Sequence, residues 1–137
     1  MKLLLPFLVL LVILIAGTAY YNTSKEDSVN MVKDESVRHV VVFKYKPEAT
    51  EAQIKVITDA FRALKDQIPG ITGFEYGTNN SPEGLNQDFT HVYLLTFENA
   101  EARDTYLPHP KHAAFGEILQ GSGIFDGAFV IDYVAMD

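Results

Sequence analysis

Two runs constrain this chain more than anything else in it: Val37 to Tyr45, VRHVVVFKY, and Phe89 to Phe97, FTHVYLLTF. Both are dense in the β-branched and aromatic residues that suit a pleated, packed surface. Side chains alternate across a strand. In the first run His39, Val41, Phe43 and Tyr45 share one face while Val40 and Val42 share the other. In the second, Phe89, His91, Tyr93, Leu95 and Phe97 share a face, and the other face is apolar too. A sheet containing two such strands must be covered on both sides.

The segments between them supply one cover. Thr50 and Gln53 have the spacing of a capping box, and Ile54, Ile57, Phe61, Leu64 and Ile68 recur as one helical face until Pro69-Gly70 stops the helix. Ile71 to Thr78 reads as a second strand, with Phe74 and Tyr76 on one side, and residues 79–88 as a turn-rich loop. Asn99 is placed to cap a short helix running through Tyr106; Pro108 breaks it, and Pro110 suits the first turn of another that ends at Gly121. Gly127 to Val134 is a last strand. Strand, helix, strand, strand, helix, strand is the order of a ferredoxin-like α+β protomer, a split β-α-β unit with a four-stranded antiparallel sheet. Helices cover only one sheet face in such a fold. The bare apolar face predicts a symmetric homodimer in which two sheets pack against each other.

The first nineteen residues are excluded from that fold. Lys2 precedes an apolar run from Leu3 to Ala16, and Gly17-Thr18-Ala19 offers small residues of the kind removed by a signal peptidase. Residues 1–19 read as a secretory signal peptide or, uncleaved, as a membrane anchor. Either way the remainder is expected on the periplasmic or extracellular side. Residues 20–36 read as a polar tether, and residues 37–137 as one domain. The net charge of -7 and the scattered Lys and Arg exclude a nucleic-acid partner, and leave the membrane as a partner only through the N-terminal segment. With no cysteine there are no disulfides and no thiolate metal sites.

Chemistry concentrates in Tyr106 to Gly116, YLPHPKHAAFG, which holds a tyrosine and two of the four histidines. His112 has the side chain of a general base working near neutrality, with the Tyr106 hydroxyl to orient it or to bind a substrate oxygen; the alternative is a helix histidine satisfied by a buried partner. His109, between two prolines, suits a helix cap or a ligand contact. His39 and His91 are candidates for ligand contacts lining a cavity, or strand residues bonded to backbone. His109 and His112 lack the further ligands zinc needs, so no metal and no cofactor is expected. Asp132 reads as a strand-face carboxylate.

These pieces together resemble the stress-responsive A/B barrel family, also called Dabb or dimeric α/β barrel. The resemblance rests on Arg38 to Lys44, RHVVVFK, on Leu64 to Gly70, LKDQIPG, and on Phe89-Thr90-His91. It rests also on Tyr106 to His112, YLPHPKH, with Phe115, and on Ile131-Asp132-Tyr133. It implies a dimeric α/β barrel and says less about activity. Many members have no assigned reaction, some plant members are stress-associated oligomers, and one plant member closes a linear polyketide by aldol cyclisation. By that resemblance Tyr106 and His112 match the cyclase's working pair, and His39 and His91 match histidines that line its cavity. Three functions are therefore expected: an exported or membrane-tethered homodimer binding a small, partly apolar ligand; a polyketide-cyclase-like or isomerase enzyme; and a non-catalytic stress-associated oligomer.

Overall fold

A computed structural model describes residues 34–136. The expected leader at 1–19 and most of the expected tether lie outside the described residues. The domain consists of β1 (Val37–Tyr45), α1 (Glu51–Gln67), β2 (Ile71–Thr78), β3 (His91–Phe97), α2 (Ala100–Tyr106), α3 (Pro110–Gly121) and β4 (Phe125–Val134). The strands form one antiparallel sheet in the order β2-β3-β1-β4. This is the ferredoxin-like arrangement that the element order predicts.

Local chemistry accounts for the boundaries. Thr50 caps α1 through a full capping box with Gln53, so two of the four orphan N–H groups at the helix start are satisfied reciprocally. Asn99 accepts from the Ala102 N–H at the start of α2. The third strand begins at His91 rather than Phe89, because Gln87 and Asp88 take positive φ and the Phe89 N–H bonds back to the Asn86 carbonyl, closing a turn. The last strand begins two residues earlier than its sequence pattern suggests, at Phe125, across a register shift opposite Lys44 and Tyr45.

All three helices lie on the sheet face that carries Val41, Phe43, Tyr93, Leu95 and Phe97. Ile57, Phe61, Leu64, Phe115 and Leu119 close over those side chains. Aromatic rings fill the layer: Phe61 stacks on Phe115 with centroids 4.4 Å apart and on Phe43 at 5.8 Å, and Tyr93 tilts against Phe61 at 5.2 Å. Among the described residues no helix covers the opposite face. There Leu94, Val40 and Ile131 line up across three strands, and Val92, Val42 and Phe129 form a parallel row. Phe129 and Ile131 keep 51% and 46% of their surface exposed in the isolated protomer.

Candidate functional site

Pairing of β1 with β4 sets His39 directly opposite Asp132. The His39 Nδ1 lies 2.6 Å from Asp132 Oδ1, and Arg103 of α2 grips the other carboxylate oxygen. Partial burial pushes the Asp132 carboxyl up, but the hydrogen bonds from His39 and Arg103 outweigh it and hold the group below its ordinary value. An ionised carboxylate accepts only. His39 therefore donates Nδ1–H and leaves Nε2 as its other face.

Tyr106 closes α2 and is fully buried. Its ring meets His39 edge-on at 5.8 Å, Phe97 at 5.0 Å and His112 at 4.2 Å. Its hydroxyl has no hydrogen-bond partner among the described residues. Burial, with a smaller contribution from the Asp132 charge, pushes the phenol well above its ordinary value, so it is a neutral O–H donor.

The break after Tyr106 positions the other imidazole. The Leu107 carbonyl, at the end of α2, lies 2.9 Å from the Nδ1 of His112, which sits in the first turn of α3. A carbonyl only accepts, so His112 holds a proton on Nδ1, and its neutral form presents a bare Nε2 lone pair. His112 is half-buried, with Tyr106 on its inner side.

The other two sequence candidates go elsewhere. His109 is the N-cap of α3; its Nδ1 accepts from the Lys111 N–H, and Pro110 occupies the first helical position. His91 lies opposite Phe43 in the β1–β3 register, whereas His39 lies opposite Leu95. The two histidines that open neighbouring antiparallel strands are thus at opposite ends of the sheet, with the packed aromatics between them. Of the four candidates, His39 and His112 both pack on Tyr106, and His91 stands apart from them. It packs against Tyr45 at 5.0 Å, its Nδ1 lies 2.9 Å from Thr90 Oγ1, and burial lowers its pKa.

Two residues were not assigned to the site from the sequence: Asp132, read there as a strand-face carboxylate, and Arg103. Asp132 is a carboxylate in the apolar part of β4, on the helix-side parity, and pairing the first and last strands in register would have set it against His39. Nothing in the sequence marks Arg103. Among the described residues no group of three or more His, Asp or Glu side chains is arranged to hold a metal ion.

A family model described as Stress Responsive A/B Barrel Domain matches residues 37–135. The stress-response A/B barrel domain-containing protein HS1 of Arabidopsis thaliana is 34% identical over 97 residues, 71% of this chain and 87% of HS1. Olivetolic acid cyclase of Cannabis sativa is 29% identical over 98 residues, 72% of this chain and 95% of the cyclase. Among solved structures, a dimeric ferredoxin-like protein of unknown function from Jannaschia sp. CCS1 superposes with a TM-score of 0.60 at 28% identity, covering 72% of this chain and 97% of that one.

Proposed function

Since the chain belongs to the stress responsive A/B barrel domain family, we propose that it acts as a homodimer that binds a small, partly apolar ligand through a hydrogen-bond acceptor at Tyr106. The observation that carries this is the Tyr106 hydroxyl, buried and without a hydrogen-bond partner among the described residues, on a ring that packs against those of His39 and His112. Leaving a buried donor unpaired costs about 1–3 kcal/mol. A ligand carbonyl or carboxylate removes that cost. The Phe97 ring, 5.0 Å from that of Tyr106, gives an apolar remainder a neighbour. Dimerisation is supported by the helix-free apolar face and by the dimeric Jannaschia relative. The apolar run at 3–16 supports delivery to the exported side of a membrane, cleaved or anchored.

A catalytic reading is favoured by one further observation, the tautomer of His112. With Nδ1–H given to Leu107, its Nε2 is free to take an acidic proton next to a carbonyl, while Tyr106 donates to the oxygen on which charge develops. That is the chemistry of a cyclisation or isomerisation through an enolate, and similarity to olivetolic acid cyclase supports it.

Olivetolic acid, the compound that gives that relative its name, is a suitable probe. At a concentration about tenfold above Kd, binding to the folded protein alone contributes about 1.4 kcal/mol, which raises Tm by several degrees in a domain of this size. The wild type is expected to show a saturable rise, Tyr106→Phe to lose most of it, and His112→Ala to reduce it. Equal shifts in all three proteins would defeat the proposal. If His112→Ala leaves the shift intact, the ligand reading stands and the base is withdrawn.

A further inference from the structure

We propose that a second ligand site, remote from Tyr106, lies in the groove between α1 and the hairpin end of β2 and β3, and that it is built for a small aromatic carboxylate. The groove has a volume of about 440 Å³, within the range of small-molecule sites. The packed rings of Phe61, Phe115 and Tyr93 separate it from the Tyr106 end.

Its rim is a planar cation held on aromatic rings. The Arg62 guanidinium carbon lies 4.9 Å from the centroid of Tyr76 and 5.7 Å from that of Phe74. Arg62 and Lys55 each give one hydrogen bond to Asp59. Arg62 alone has five N–H donors in a fork that matches a carboxylate, so four remain. Glu51 also lines the groove, so its two acids and two bases balance, and the free N–H fork of Arg62 rather than a surplus of charge selects a carboxylate.

Its floor has one hydroxyl proton too many. Thr58 Oγ1 lies 2.8 Å from the Tyr93 hydroxyl, which lies 3.2 Å from that of Tyr45. Three hydroxyls carry three protons, and two bonds use two. Tyr45 remains a neutral phenol because burial, reinforced by the hydrogen bond with Tyr93, pushes its pKa up. When the chain of donors runs from Tyr45 to Thr58, the remaining proton belongs to Thr58, which is buried and lines the groove with His91. A carboxylate seated on Arg62 with one oxygen towards Thr58 satisfies rim and floor together, and its ring lies beside Tyr76 and His91.

Benzoate is the probe, titrated into the full-length protein by calorimetry. Saturable binding of one benzoate per chain is expected. Arg62→Ala and Thr58→Val should each weaken it at least fivefold, and acetate, which has no ring, should bind at least tenfold more weakly. In a Tyr106→Phe background, which removes the first site, one benzoate per chain should still bind at this groove, and Arg62→Ala should cause the same fold-loss there as in the wild type. Arg62 lies on the exposed side of α1, so its removal leaves the fold intact and keeps the test decisive even if Thr58→Val unfolds. The proposal is overturned by absence of saturation, by benzoate affinity indifferent to Arg62→Ala, or by loss of binding in Tyr106→Phe, which would put the carboxylate at the other end of the sheet.

Discussion

Asp132 is the residue through which one end of the sheet is tied to a helix, since it holds His39 of the neighbouring strand and Arg103 of α2 at once. Its carboxyl is held below the ordinary value of 3.8 in the folded protein. A group with a lowered folded pKa contributes its stability above the unfolded value, and that contribution is lost as pH falls towards the folded one. Asp132→Asn is therefore expected to be less stable than the wild type at pH 7, by about 1 kcal/mol because the pair is partly screened by solvent. The deficit should shrink as pH drops below about 4. Urea midpoints measured from pH 7 to pH 3 check this, and a constant deficit across that range would show that the carboxylate charge plays no part. The same residue shows where sequence reasoning stops. His39 and Tyr106 are conspicuous by type, but Asp132 acquires its meaning from register, which depends on how the first and last strands pair across a long stretch of chain.

At the scale of elements the order of strands and helices was almost entirely legible, because it is written in local signals. The capping box at Thr50, the Asn99 cap and Pro110 at the start of α3 are all realised. What the local signals lack is the distance between elements. Two histidines opening two strands suggest a common site until those strands prove antiparallel neighbours, which sends His39 and His91 to opposite ends. Junctions between elements are likewise tertiary. Gly70 links α1 to β2 with φ +86°, and its carbonyl accepts from the Glu98 N–H at the end of β3. A Cβ built there would lie 2.6 Å from the Cβ of Ala102 in α2. The sequence identifies Gly70 as a helix stop, whereas the structure adds that α2 packs on it. Gly70→Ala thus meets both a left-handed backbone and a steric overlap, and is expected to lose about 1–3 kcal/mol. It should also disturb Tyr106, since α2 must move to make room. A denaturant midpoint unchanged from the wild type would mean that α2 yields without cost.

For the whole molecule the controlling fact is that the sheet has two apolar faces and the described residues supply helices for one. Leu94, Val40 and Ile131, with Val92, Val42 and Phe129 beside them, form a continuous band on the helix-free side. A surface of this kind on a soluble domain marks an interface. Closure by a two-fold axis covers it on both copies at once without leaving a sticky patch for further growth. The two-sided apolar pattern was already legible in the sequence, because it is visible without any knowledge of pairing. A charge at the centre of the band tests it sharply. Ile131 is already 46% exposed in the protomer, so Ile131→Lys costs the isolated fold little. In a two-fold dimer the substitution enters the interface twice and buries two like charges against apolar side chains. Light scattering at micromolar concentration should give twice the protomer mass for the wild type and the protomer mass for Ile131→Lys, with circular dichroism unchanged. If Ile131→Lys retains the doubled mass, the helix-free face is not the interface. If the wild type already runs at the protomer mass, the homodimer itself is wrong.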